Sequence, residues 1–403
     1  MAPECINPND YEGYIQEYTN RGHNVSKRPS TAFVKSSNSV LTHIDLQLKN
    51  KLINMKQIIL LNSTLKKCES MQSLILNLEN QFITDDKLWK LLINLNQFKN
   101  LVKISLNLNN NQIKPEGVQC LAQFLKNYLN IAELSIYLID NKIEKNGVNL
   151  LCQNLKEMTN LQHLELELKQ NYIGDVGATE ISKSLINLKN LIILKLGLRN
   201  NNISSLGIIS ISNALQNLVN LRLLWLNVCW NQISGAGAIQ ISAILKNLKE
   251  LTSFTLLISS NQIGDAGAIE IGTGISYLQN LASLNLGLNN SQIQEVGAKG
   301  LLEGLAKSIN LVDLKLNLEN NLISEEFINS NFGKYICELP KLTGLEFLYN
   351  EEQNYLKSKD LVNCKNIKIL TIDLKNYGYL IGKKNLQQKA KKILRLVKLI
   401  TLD

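Results

Sequence analysis

The chain has 403 residues, 45% of them hydrophobic, and carries a net charge of +9. That apolar content suffices for a continuous core and excludes a disordered polyelectrolyte. No uninterrupted apolar run of about 18 residues occurs, which argues against a membrane-spanning helix.

Residues 1–40 repeat nothing found later in the chain. The opening MAPECINPND has no basic stretch followed by an apolar one and does not read as a secretory signal. If the segment Asp10–Asn20 is helical, Tyr11, Tyr14, Ile15 and Tyr18 share one side and make a candidate docking segment, although Gly13 weakens the helix. Gly22–Ser39 is polar and basic and reads as an extended arm. In it, Lys27, Arg28 and Pro29 precede Ser30, a pattern a basophilic kinase would accept.

From Leu41 to Pro340 the chain is ten consecutive thirty-residue units without an insertion or deletion. Leu101, Leu161, Leu191, Leu221, Leu251, Leu281 and Leu311 each open the pattern L-x-x-L-x-L-x-L-x-x-N-x-I, with Ile104, Val228, Phe254 and Ile258 standing for leucine and Ser291 for the asparagine. In the first half of a unit Leu164, Leu166 and Leu168 alternate with His163, Glu165, Glu167 and Lys169, the period of a strand. In the second half Ala178, Ile181, Leu185 and Leu188 recur every three or four residues, the period of a helix. A strand and a helix per unit require parallel strands, and no unit buries its own apolar face, so the units must stack. Strands pack about 4.8 Å apart and helices about 10 Å apart, which bends such a stack with the strands inside.

Two ladders accompany the repeat. Asn111, Asn141, Asn171, Asn201, Asn231, Asn261 and Asn321 stand where the chain leaves the strand, suited to bonding the backbone of adjacent turns. Gly117, Gly147, Gly177, Gly207, Gly237, Gly267 and Gly297 follow six residues later, suited to a tight turn or close helix approach. Units one and two depart from both, with Lys51 and Gln81 for the asparagine and Gln57 and Lys87 for the glycine, as a solvent-facing terminal cap would.

On these motifs the units resemble leucine-rich repeats of the ribonuclease-inhibitor-like class. The resemblance implies an α/β horseshoe, with parallel strands on the concave face and helices on the convex face. The usual repeat core is two residues shorter before the asparagine, and the added pair lengthens the strand without flipping its face.

Outward strand positions then form the concave surface, the usual binding face of a repeat protein. In mid-stack they are charged: His163, Glu165, Glu167, Lys169, Lys195 and Arg199. Beside them lies an apolar set of Ile193, Leu223, Trp225 and Leu257, with Cys229 and Trp230 at the strand exit. An exposed Trp225 among leucines reads as an interface hot spot, whereas Trp230 also suits packing against the turn.

Past Pro340 the period loosens. Residues 341–403 hold thirteen Lys and Arg against six Asp and Glu, so seven of the nine net positive charges lie there. Lys383, Lys384, Lys389, Lys391, Lys392, Arg395 and Lys398 make a basic end that caps the core or meets an acidic protein surface. Nucleic acid is the weaker choice, because no interleaved aromatics accompany the charge. Ile393–Leu402 reads as a last strand or helix.

No catalytic spacing is found. His163 has no second histidine within a repeat or two, and neither G-x-S-x-G nor a phosphate-binding loop is present. No cofactor or metal is expected. The seven cysteines show no C-x-x-C spacing and read as reduced thiols of a cytoplasmic protein, with Cys120, Cys152 and Cys337 at helix core positions. The function implied is a non-enzymatic scaffold in a multi-subunit assembly. Similar repeat proteins serve in cilia, so a cytoskeletal or axonemal setting is included. The alternative implied by the resemblance is an enzyme regulator, similar to a GTPase activator or a nuclease inhibitor, with Lys169, Arg199 and Asn200 cast at the contact.

Overall fold

The computed structural model describes residues 42–50, 54–65, 70–93, 95–349, 359–362, 364, 366–373 and 398–402. The arm with Tyr11, Tyr14, Ile15 and Tyr18 lies outside them. So does the basic end, apart from the backbone of Lys398.

The leucine alternation forms the strands its period predicts. They are β1 (His43–Gln47), β2 (Ser73–Asn77), β3 (Lys103–Asn107), β4 (Glu133–Tyr137), β5 (His163–Glu167), β6 (Ile193–Gly197), β7 (Leu223–Asn227), β8 (Ser253–Leu257), β9 (Ser283–Gly287), β10 (Asp313–Asn317), β11 (Gly344–Leu348), β12 (Ile369–Asp373) and β13 (Lys398–Leu402). All pair parallel in sequence order within one sheet. Through β10 each residue faces the one thirty positions away, as His163 faces Ile193. Beyond β10 the register slips, with Asp313 facing Gly344, Gly344 facing Ile369 and Ile369 facing Lys398. Of the end read as a strand or a helix, Lys398–Leu402 is a strand, and residues 393–397 lie outside the described residues. The ladder also runs past the named strands: the Leu168 amide donates to the Gly197 carbonyl at 2.8 Å and the Gln170 amide to the Arg199 carbonyl at 3.0 Å.

Between strands come α1 (Met55–Leu65), α2 (Asp85–Leu92), α3 (Pro115–Leu125), α4 (Glu144–Leu155), α5 (Gly174–Leu185), α6 (Ser205–Leu215), α7 (Gly235–Leu245), α8 (Gly264–Ser276), α9 (Glu295–Leu305), α10 (Glu325–Cys337) and α11 (Lys359–Val362). Leu164, Leu166 and Leu168 are buried against Ala178, Ile181 and Leu185 in a core continuous from unit to unit. Leu188 lies past the end of α5 and is buried in the returning turn, where its amide bonds the Leu185 carbonyl.

The asparagine ladder is a chain of inter-unit bonds. Asn111 Nδ2 donates to the carbonyls of Leu78, Leu108 and Asn109, and its Oδ1 accepts from the amides of Gln81 and Ile83, all within 3.1 Å. Gln81 corrects the solvent-cap expectation: it is fully buried and donates to the Leu48 carbonyl at 2.6 Å, doing the asparagine's task with one more methylene. Gln57 closes a reciprocal cap with Asn54 at the start of α1. The glycine ladder answers to crowding. A Cβ at Gly207 would stand 2.6 Å from Asp175 Oδ1 and 2.7 Å from Ile203 Cγ2. That Asp175 carboxylate caps the following unit's helix, accepting from the amides of Ser204 and Gly207.

Candidate interaction face

Alternate strand positions project from the sheet side away from the helices, and the register sets their neighbours. Ser135, Glu165 and Lys195 align across β4, β5 and β6, as do Tyr137, Glu167 and Gly197. The charged residues predicted from the sequence therefore come together on adjacent strands.

Glu165 Oε2 lies 3.2 Å from Lys195 Nζ and 3.8 Å from His163 Nε2, the latter longer than a hydrogen bond. His163 Nε2 is buried with no hydrogen-bond partner among the described residues. Burial pushes the Glu165 carboxyl upward, but His163 and Lys195 outweigh it and hold the group below its ordinary range. Glu167 is the reverse. Burial, then the charge of Glu165, push it up to about 8, against a weaker pull from Lys169 and Lys195. Gly197 opens the space its carboxyl fills, since a Cβ there would collide with Glu167. Tyr137 is driven above the ordinary phenol range, chiefly by burial and then by the charge of Glu165.

The apolar set divides. Ile193 and Leu223 are register partners and half-buried, as is Leu257, so they do present apolar surface. Trp225 does not. It is only 9% exposed, which corrects its reading as an exposed hot spot. Lys195 and Thr255 are its register partners and Leu223 and Asn227 flank it on its own strand, and side chains at that spacing cover one another. Cys229 is buried as well, its amide bonded to Asn227 Oδ1.

Trp230 remains exposed at 38%, with the Arg199 guanidinium carbon 5.8 Å from its ring centroid. Its backbone was not foreseen. Asn50, Asn80, Asn110, Asp140, Gln170, Asn200, Trp230, Ser260, Asn290 and Asn320 all have positive φ, one position before the asparagine ladder. Asn, Asp and Ser accept that conformation readily; a bulky side chain does so under strain. The run of Asn and Asp at this register was the available signal, and Trp230 breaks it. Tyr172, in the loop beyond β5, also has positive φ and is well exposed.

The Leucine Rich repeat family model matches residues 104–122 and 253–272, each a strand, its exit and the start of the next helix. With thirteen parallel strands in one sheet and the same bonds closing unit after unit, the family is decided. The chain is a leucine-rich repeat protein. No curated protein matches it. A solenoid of leucine-rich repeats is a protein-interaction module, typically without catalysis of its own. Among the described residues of this leucine-rich repeat protein, no group of three or more His, Cys, Asp or Glu is placed to hold a metal, and no helix is long and apolar enough to cross a membrane.

Proposed function

We propose that the chain is a non-catalytic scaffold of a larger cytoplasmic assembly, and that its partner seats on the strand face from β5 to β8. One observation carries this reading: an apolar pair of register partners, Ile193 and Leu223, lies directly beside the charged cluster of His163, Glu165, Glu167 and Lys195 on a single sheet face. Apolar surface rimmed by charge is the anatomy of an interface. Within that reading, residues 1–40 are a docking arm, residues 41–340 the repeat body of the ribonuclease-inhibitor-like class, and residues 341–403 a basic cap that meets an acidic protein surface. A ciliary or cytoskeletal assembly suits a rigid bracket with contacts at its face and both ends.

Cross-linking with mass spectrometry in the native cells tests this. A defined set of neighbours should be recovered, and the paired change Ile193→Ser with Leu223→Ser should remove at least one of them at unchanged protein level. Retention of every neighbour by that variant sinks the strand-face reading.

A further inference from the structure

The lysines of the strand face are neutralised sideways. Lys49 pairs with Glu79 at 3.0 Å, Lys103 with Glu133 at 2.8 Å, Lys195 with Glu165 at 3.2 Å and Lys315 with Glu346 at 3.0 Å, each time across to the adjacent strand. Arg199 breaks that rule. Its lateral neighbours are Lys169 and Cys229, placed by the Gln170-to-Arg199 and Asn200-to-Cys229 backbone bonds. Among the described residues no carboxylate reaches its guanidinium, whose one recorded partner is the Trp230 ring. The side chain is nonetheless half-buried. A partly dehydrated guanidinium with no carboxylate in reach gains from an arriving anion.

Trp230 is an independent sign that this place is built for use. The position demands positive φ, polar side chains fill it in the other units, and here an indole takes the strain. The ring lies within cation–π reach of the guanidinium, whose fork of N–H groups suits a carboxylate.

Resting on the strand-face reading above, we infer that the strand-exit end of β5–β7 receives an acidic segment of another protein, a carboxylate of which is held by the Arg199 guanidinium beside Trp230. Glu167 sits just below. The groups facing it are Tyr137 on β4, Glu165 and Lys169 along its own chain, and Lys195 on β6. With its carboxyl pushed up to about 8 it stays largely protonated at neutral pH and does not repel the incoming carboxylate. As pH rises through 8 it ionises, and the acidic segment should bind less tightly.

The test uses the full-length protein labelled with nitrogen-15 in its three tryptophans, the Trp230 indole signal being assigned by Trp230→Phe. The probe is an acetylated, amidated decaglutamate peptide, with decalysine and inorganic phosphate as comparisons. Decaglutamate should move the Trp230 signal saturably, and Arg199→Ala should weaken that binding by about tenfold or more. Arg199→Lys should also weaken it, because an ammonium lacks the bidentate fork, whereas Arg222→Ala at the opposite strand ends should not. Raising the pH from 7 to 9 should loosen the wild-type complex several-fold, roughly, and leave Glu167→Gln unaffected.

The local signal keeps peptide captured by the basic C-terminal residues from counting. An unmoved Trp230 signal, an equal shift in Arg199→Ala, or a response to decalysine or phosphate alone overturns the inference. In cells, a neighbour lost by the Ile193→Ser and Leu223→Ser pair but kept by Arg199→Ala overturns the acidic contact while sparing the scaffold reading. Loss of no neighbour by either variant overturns the scaffold reading itself.

Discussion

At the scale of single residues, two side chains are in places where folding alone does not want them. Trp230 holds positive φ, a strain on the order of 1–3 kcal/mol for a bulky residue. Trp230→Asn, which restores the residue type of the neighbouring units, should raise stability by about 1 kcal/mol in urea titrations. It should also weaken the decaglutamate contact through the loss of the ring under Arg199. No gain in urea midpoint would mean that the indole's packing outweighs its strain. Glu167 gives a pH signature. Its ordinary value is 4.5 and its folded value about 8, so across that window the folded chain keeps a proton that the unfolded chain releases. Stability therefore falls as pH rises from 4.5 to 8 and levels off above, the sign expected when the unfolded state binds fewer protons. Glu167→Gln should remove that slope, leaving the variant more stable than wild type at pH 8 and the two similar near pH 4.5.

At the scale of elements, the strand-exit turns hold the units in register. Asn171 donates from Nδ2 to the carbonyls of Leu138, Leu168 and Lys169, all within 3.1 Å, and accepts at Oδ1 from Ile143. Leucine has similar volume and none of these bonds. Asn171→Leu should then strand several buried carbonyls and cost roughly 3 kcal/mol or more, read as a lowered urea midpoint with unchanged cooperativity. A loss below about 1 kcal/mol would show that water replaces the amide. The need for a buried amide was legible in the sequence as a thirty-residue ladder. Its extension through Gln81 was not, because a longer side chain in a terminal unit has the same spelling as a degenerate, solvated one.

At the scale of the whole molecule, each unit touches only its neighbours, so length is adjustable in steps of one unit. Excising residues 281–310 removes β9 and α9 and brings β8 beside β10 in the existing register. The shortened chain should unfold cooperatively by circular dichroism and keep the Arg199–Trp230 contact, which lies outside the cut. Removing residues 281–294 alone leaves α9 without its strand and should abolish the transition.

Periodicity by itself determined the architecture: a spacing of two then of three to four, repeated every thirty residues, can bury its leucines only by stacking parallel strands against helices. The same spacing assigned which strand residues look outward, since parity is a property of the chain. How far each outward residue is covered depends on its cross-strand neighbours, and only the tertiary structure decided that. It hid Trp225 and Cys229, set Glu167 into the space over Gly197, and drew Arg199 onto Trp230. The positive φ of the strand-exit position is also a tertiary decision, imposed by the turn that feeds each helix onto its sheet. The sequence spells that position with asparagine at six places in ten, with Asp140, Gln170 and Ser260 at three, and with tryptophan at one.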